Sequence, residues 1–256
     1  MTDPVHYAYA DGAARITLAA GDRGNPLTPE SGAALLAAVL RAKADGARVV
    51  VLAAEGRFFS VGGALDGFAD ADDREAHLLE LAEAAHRIIT ELVRGDAIVV
   101  SAVQGTAAGI GFPLAAAADV VLAADTARFS LAYVKVGLSP DGGGSLLVHT
   151  LGLHRVLRLG LLGDLLTAQE AYDAGLVARV VPADQLATAT DEVVANLLTG
   201  SRHALAATKR LVRDAAEPAT ESALRREAVS ISRLGGGPDG LEGITAFLEK
   251  RPPRYS

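Results

Sequence analysis

The sequence predicts an α/β fold in which strand–loop–helix units come first and helices without strands follow. A continuous apolar run of strand length at 49–53 is typical of a strand buried on both faces of a parallel sheet, and a second strand is predicted at 98–103. A glycine-containing loop follows each run, at 58–65 and at 105–113. After about position 142 the pattern becomes mainly helical, which predicts a helical region beyond the sheet.

A β-hairpin is predicted at the N-terminus. Strand-like segments at 5–9 and 15–19 flank Asp11-Gly12, a pair in which glycine supplies the positive φ that a tight turn requires. A further short strand is predicted at 176–181, before Pro182.

Helix starts are marked by capping residues. Thr28 followed by Pro29 predicts a helix that ends near Gly46, and Thr167 with Glu170 forms a capping-box pattern. Apolar residues at helical spacing predict a helix around 78–92. Four more helices are predicted near the C-terminus, at about 184–198, 202–215, 220–234 and 239–249.

Composition limits the possible functions. The 256 residues carry a formal net charge of -7 without a long basic run, which argues against a nucleic-acid partner. Apolar stretches are interrupted well before the ~20 residues that a membrane-spanning helix needs. The sequence contains no cysteine, and its histidines show no metal-ligand spacing, so we expect no metal site and assign the histidines structural or surface roles. These features favour a cytoplasmic protein.

The two glycine loops predict a site for a developing negative charge. Turns from strand to helix leave backbone N–H groups free to bind an anion, and two facing turns could hold one oxyanion between two amides. Gly109 and Gly111 do not form a dinucleotide fingerprint, because the third glycine of that motif would fall at Leu114.

A third segment, 129–145, places Asp141 between a proline and three glycines. From the residues alone, Asp141 is either the N-cap of a helix that begins near Gly143 or a carboxylate that works in a site.

Taken together, five segments in this order resemble the crotonase family, the enoyl-CoA hydratase/isomerase superfamily. They are 25–28, 58–65, 105–113, 129–145 and 246–251.

The resemblance implies a crotonase-like spiral of ββα units over 1–195 and a C-terminal helical oligomerisation region over 196–256. It further implies homotrimers or dimers of trimers that bind acyl-CoA thioesters, with coenzyme A present only as part of the substrate. The backbone N–H groups of Val61 and Ile110 would then stabilise the thioester enolate.

The sequence departs from the family at the residues that handle protons. The two glutamates of family hydratases are replaced by Pro113 and Tyr133, and Ala64 stands where the family usually has aspartate. Hydration requires a base for water and an acid for the α-carbon, and neither replacement is suited to those roles at neutral pH. Asp141 matches the position of a working aspartate in several family isomerases. The resemblance therefore predicts an enoyl-CoA isomerase of fatty acid metabolism, with Asp141 as proton shuttle and Tyr133 as a hydrogen-bond donor or pocket wall.

The resemblance also predicts contacts with coenzyme A. Arg23 would lie near the phosphates, while Phe247 and Lys250 would contact the cofactor portion from a neighbouring subunit. Two alternatives remain open: hydrolysis or hydration of a CoA thioester on the same scaffold, and an acyl-CoA binder without turnover. The segment 66–73 is expected to shape the acyl pocket.

Overall fold

A large, mostly parallel sheet forms the centre of the molecule. The computed structural model describes residues 3–65, 72–216 and 220–255; most of the segment expected to shape the acyl pocket, 66–71, lies outside these residues. The six strands follow the order β1-β2-β3-β5-β7-β10, antiparallel only between β1 and β2. They are β1 (Val5–Ala10), β2 (Ala13–Leu18), β3 (Val49–Ala54), β5 (Ile98–Val103), β7 (Val120–Ala124) and β10 (Arg179–Val181).

A second, smaller sheet lies at the carboxyl ends of these strands. Its order is β4-β6-β8-β9, with a parallel arrangement except between β8 and β9. Three of the short strands, β4, β6 and β8, directly follow the large-sheet strands β3, β5 and β7, and the first two of these pairs lead into α-helices, which gives the repeated ββα arrangement expected from the resemblance. The four strands are β4 (Phe58–Ser60), β6 (Thr106–Ala108), β8 (Arg128–Ser130) and β9 (Leu165–Thr167).

Helices pack against both sheets and continue beyond them. The Thr28 and Thr167 capping boxes predicted from sequence are both formed. The helices are α1 (Pro29–Ala44), α2 (Arg74–Arg94), α3 (Gly111–Ala116), α4 (Val148–Leu151), α5 (Leu153–Leu162), α6 (Ala168–Asp173), α7 (Leu186–Thr199), α8 (Arg202–Ala216), α9 (Thr220–Gly236) and α10 (Pro238–Leu248).

The predicted division of the chain at position 195 falls inside α7. Helix α9 packs along α2, so the C-terminal helices are part of the structure that surrounds the site. None of the helices in the described ranges combines the length and the apolarity that crossing a membrane requires.

The α/β prediction is confirmed, and the hairpin and the buried strands occur where the sequence placed them. The α-helix predicted to begin near Gly143 is wrong. Residues Ser145–Leu147 form a 3₁₀ turn, and α4 begins only at Val148.

Candidate active site

The two glycine loops lie against each other at the ends of β4 and β6. A Cβ atom placed on Gly62 would stand 3.1 Å from the carbonyl oxygen of Ala108 and 3.3 Å from the Cα of Gly109. Gly62 and Gly109 both have positive φ, 104° and 53°, which glycine adopts without steric cost. The two loops therefore pack closely, backbone against backbone.

The amide that the first loop offers belongs to Gly63. Leu27 pairs with Gly63 in a parallel bridge, in which the Leu27 N–H donates to Gly62 and the Ala64 N–H donates to Leu27. This pattern directs the Gly63 N–H away from Leu27, and no described residue accepts a hydrogen bond from it.

The prediction that Val61 supplies this amide is contradicted. The Val61 N–H donates to the carbonyl of Gly24 at 2.9 Å, so it is already engaged within the protein. The sequence could not show this, because the loop's pairing with the chain around Gly24 and Leu27 determines which of its consecutive amides remains free.

In the second loop, the amide that the resemblance singles out is that of Ile110. Ile110 stands immediately before α3, and no acceptor for its N–H occurs among the described residues. Its side chain is buried and lies over Gly142, where a Cβ atom would come within 1.6 Å of the Ile110 Cδ1. The Ile110 side chain thus packs against the residue that follows Asp141.

Gly63 and Ile110, which carry the two unpaired amides, both line one cavity of about 330 Å³. Leucine, alanine, valine and isoleucine side chains form most of its wall, and Ala64 is among them. Asp141 is the only carboxylate on the described part of this wall. We call this space the substrate cavity.

Asp141 is buried and paired with a histidine from another element. Its Oδ1 lies 2.7 Å from the Nε2 of His86 on α2, and both residues are about 95% inaccessible, with 4% and 5% of their surfaces exposed. Asp141 makes no N-cap hydrogen bond to the turn that follows it. Its carboxylate instead pairs with His86 and lies at the wall of the substrate cavity. The interpretation of Asp141 as a simple helix cap is therefore wrong.

A second buried carboxylate holds the turn that follows Asp141. Glu227 on α9 accepts the N–H of Gly143 at 2.5 Å and the N–H of Ser145 at 2.7 Å. Burial raises the pKa of Glu227, while its hydrogen bonds to Ser145 and Gly143 act in the opposite direction. Glu227 thereby connects the C-terminal helices to the position of Asp141.

Tyr133 lies in the wall of the same cavity. Its hydroxyl donates to the main-chain carbonyl of Asp141 at 3.3 Å. Burial raises the pKa of Tyr133 well above its ordinary value, and the charges of Asp141 and Glu227 raise it further. Tyr133 thus donates a hydrogen bond within the protein and also lines the substrate cavity, so both roles that the sequence left open remain available to it.

Pro113 does not line the substrate cavity. It is buried in α3 and faces a smaller space together with Gly142 and Gly143. This position offers no proton-transfer group near the free amides.

The predicted coenzyme A contacts fall at the edge of the site. Arg23 is exposed and directly precedes Gly24, which binds the Val61 amide. Phe247 lines the substrate cavity of its own chain while 61% of its surface is exposed, whereas the resemblance placed it against a neighbouring subunit's ligand. The packing of α10 on the 132–136 turn of the same chain explains this placement. Lys250 is exposed three residues further on.

Sequence reasoning missed Gly63, His86 and Glu227. The sequence did contain an indication for His86, because this histidine lies on the face of α2 whose other positions are apolar and become buried. The ligand atoms of His86, Asp141 and Glu227 all lie within 4.8 Å of one another. Within this cluster, His86 is hydrogen-bonded to Asp141, and Glu227 accepts hydrogen bonds from two backbone amides.

The chain is similar to proteins of one family over nearly its whole length. The family model described as enoyl-CoA hydratase/isomerase matches residues 9–256. A Rhodobacter capsulatus protein named "Probable enoyl-CoA hydratase" is 35% identical over 254 residues, covering 98% of this chain and 97% of the relative. The trans-2-decenoyl-[acyl-carrier-protein] isomerase of Streptococcus mutans is 34% identical over 218 residues, covering 84% and 82%. A crystal structure of an enoyl-CoA hydratase from Mycobacterium avium subsp. paratuberculosis matches with a TM-score of 0.90 and 35% identity, over 99% of this chain and 98% of the other. The chain belongs to the enoyl-CoA hydratase/isomerase family.

Proposed function

We propose that this protein is an acyl-CoA isomerase that moves a double bond in an enoyl thioester. The observation that carries the proposal is the position of Asp141. It is the single carboxylate on the described wall of a cavity that is also lined by Gly63 and Ile110, whose amides have no acceptor among the described residues.

The two amides would bind the thioester carbonyl oxygen. Loss of a proton next to the enoyl system places negative charge on that oxygen, and donors fixed in advance stabilise the charge as it develops. Neither amide requires a particular side chain, so Gly63 and Ile110 are both acceptable at these positions.

Asp141 would carry the proton. Its carboxylate takes a proton from one carbon of the acyl group, and the electron pair of that C–H bond is delocalised into a dienolate. The protonated Asp141 then delivers a proton to another carbon of the same system. One carboxylate is sufficient for this sequence.

Hydration is less well supported by the side chains present. It needs a second group to activate water, and the two positions that would supply one hold Pro113 and Tyr133. Pro113 faces away from the substrate cavity, and the raised pKa of Tyr133 keeps its hydroxyl protonated.

The proposed substrate is a CoA thioester with an apolar acyl group. The apolar wall of the cavity fits a hydrocarbon chain, and the family description names enoyl-CoA substrates.

Arg23 and Lys250 would contact the phosphates of coenzyme A, and Phe247 would cover the ligand near the cavity mouth. The trans-2-decenoyl isomerase among the relatives acts on a thioester of acyl carrier protein, so that carrier belongs in the substrate panel.

We further propose the homotrimer, or dimer of trimers, that the resemblance implies. Leu153, Leu157 and Leu161 form an exposed stripe on α5 at a spacing of four residues, which is suited to burial against another copy. Sedimentation at several protein concentrations tests this assembly.

The decisive experiment compares wild type with Asp141→Asn on trans-3-enoyl-CoA thioesters of short and medium chain length. We expect the variant to lose on the order of 10²–10⁴-fold in isomerisation rate, the usual contribution of a positioned acid–base group. Asp173→Asn, an exposed aspartate on α6, is the control and should be unchanged. Isomerisation by Asp141→Asn at the wild-type rate would refute the proposal. Release of free CoA would indicate a hydrolase, and binding without turnover would indicate a binder.

A further inference from the structure

The two carboxylate oxygens of Asp141 have different surroundings. Oδ1 lies 2.7 Å from the Nε2 of His86, and both side chains are buried. Oδ2 has no hydrogen-bond partner among the residues that the structure describes. Because Asp141 also lines the substrate cavity, Oδ2 is the oxygen that remains available to a substrate proton.

His86 is the one side chain in the described ranges that bonds to this carboxylate. Tyr133 reaches the same residue, but its hydroxyl donates to the main-chain carbonyl of Asp141. Glu227 is close as well, yet each of its oxygens already accepts a backbone N–H of the turn that follows. The orientation of the Asp141 carboxylate therefore depends on His86.

The short contact determines where the imidazole carries its proton when Asp141 is ionised. Two atoms that both present lone pairs would repel each other at 2.7 Å, so the proton is on Nε2 and His86 donates to Oδ1. The Gly142 N–H is also directed at Nε2, from 3.3 Å, and this longer contact is the weaker of the two. When Oδ2 takes up a proton, Oδ1 is still an acceptor, so the bond from His86 persists.

Helix α2 holds His86 in this position. The ring is 5% exposed, and the next positions on the helix include the buried Ile88 and Ile89. The same helix contributes Ala82 and Ala85 to the wall of the substrate cavity. A polar ring among apolar side chains is costly unless it is hydrogen-bonded, and within the described part of the chain its bonds all go through Nε2. The bond thus joins the helix that lines the cavity to the proposed base.

We propose that His86 is a positioning residue that holds Oδ1 of Asp141 and thereby leaves Oδ2 to transfer the substrate proton. The inference rests on the proposed function, in which Asp141 is the acid–base group. First, a C–H bond of the substrate breaks and an O–H bond forms at Oδ2, while the C–H electron pair enters the dienolate. Then that O–H bond breaks and a C–H bond forms at the other carbon. His86 keeps its own proton throughout and touches no substrate atom.

The test compares kcat and KM of histidine variants in trans-3-enoyl-CoA isomerisation. His86→Leu keeps much of the side-chain bulk but removes the N–H donor, and we expect kcat to fall about 10–100-fold with little change in KM, the usual effect of losing a hydrogen bond to a charged group. His86→Gln can place an amide N–H where Nε2 stands and should recover most of the lost kcat. His77→Leu, the same change on the same helix but outside the substrate cavity, is the matched control and should be unchanged.

A purely structural role for His86 gives a different pattern. A position that only fills space accepts leucine at least as well as glutamine, because glutamine buries more polar atoms. Wild-type kcat in His86→Leu, or equal kcat in the leucine and glutamine variants, would overturn the inference. Should His86→Leu fail to fold, His86→Asn takes its place. The asparagine amide is one methylene too short to reach Oδ1, so its kcat should lie well below that of His86→Gln, and equal values would again overturn the inference.

The outcomes separate this inference from the proposed function. Because His86 acts only through Asp141, adding His86→Leu to Asp141→Asn should cause no further loss of rate. A further loss as large as that in the wild-type background would show an independent role and refute the positioning of Asp141 by His86. If Asp141→Asn isomerises at the wild-type rate, the proposed function itself fails. If Asp141→Asn is impaired and His86→Leu is not, Asp141 remains the base and only the role of His86 is wrong.

Discussion

Glu227 reaches from α9 to accept the N–H of Gly143 at 2.5 Å, two residues beyond the proposed catalytic Asp141. The same carboxylate accepts the Ser145 N–H with its other oxygen, so both of its oxygens are used on one turn. Helix α9 thus determines where the backbone after Asp141 lies. A residue in the C-terminal helical region thereby acts on the site from outside the substrate cavity.

The first prediction concerns Glu227→Gln. The glutamine carbonyl can accept one of the two N–H groups, but its NH₂ group would then face the other and leave a buried donor unpaired. We expect a loss of about 1–3 kcal/mol in the free energy of unfolding and a reduction in kcat larger than any change in KM. Denaturant unfolding and steady-state kinetics measure the two effects. Glu221→Gln, an exposed residue on the same helix that pairs with Arg94, is the control. Wild-type kinetics in Glu227→Gln would show that the turn does not depend on this carboxylate.

The second prediction concerns the pH dependence of stability. Burial raises the pKa of Glu227 in the folded state above its unfolded value of 4.5. The folded protein therefore binds the proton more tightly, and this group's contribution to stability is fully present below pH 4.5 and is lost as pH rises through the folded pKa. Relative to Glu227→Gln, which cannot titrate, the free energy of unfolding of wild type should decrease as pH increases from about 4.5. Chemical denaturation of both proteins across this range measures the difference, and parallel pH profiles would contradict the prediction.

The third prediction assigns the amide of the first glycine loop. Gly63→Pro removes an N–H that no described residue uses, and we expect a fall in kcat on the order of 10²–10³ with modest change in stability. Gly63→Ala is the matched control: it keeps the N–H, and its Cβ would meet no atom within 4 Å. Equal activity of the two variants would remove Gly63 from the site and reopen the question of which amide binds the oxygen.

The fourth prediction concerns Lys250, beyond the helix that carries Phe247. Lys250→Glu should raise the Kd for a CoA ester, and the increase should shrink as salt is added, since exposed charges are screened beyond about 8 Å at physiological ionic strength. Titration calorimetry with CoA esters at low and high salt measures this change. Lys250→Gln should give an intermediate Kd if charge is responsible. An unchanged Kd in Lys250→Glu would place this lysine outside the binding site.

Much of the framework could be predicted because its signals are local. The buried strand around Val49 is a continuous apolar run, the strand from Ile98 is apolar except at Ser101, and the Thr28 and Thr167 caps depend on residues within one helical turn. The glycine loops appear at strand ends for the same reason. A helix after Asp141 could not be excluded from the sequence, because the three glycines permit both a capped helix and the looser 3₁₀ turn that forms.

By itself, the sequence determined the family, the α/β framework, the glycine loops and the absence of the two hydratase glutamates. These depend on residue identity and short-range spacing. The tertiary structure decided that the Gly63 amide is free and the Val61 amide is engaged, because hydrogen bonding to Gly24 and Leu27 selects among neighbouring amides. It also decided that Asp141 meets His86, 55 positions away in the chain, and that Glu227 holds the turn that follows Asp141. Such contacts arise where α2 and α9 meet the 141–145 segment, and no local pattern specifies which buried polar groups meet when separate elements pack.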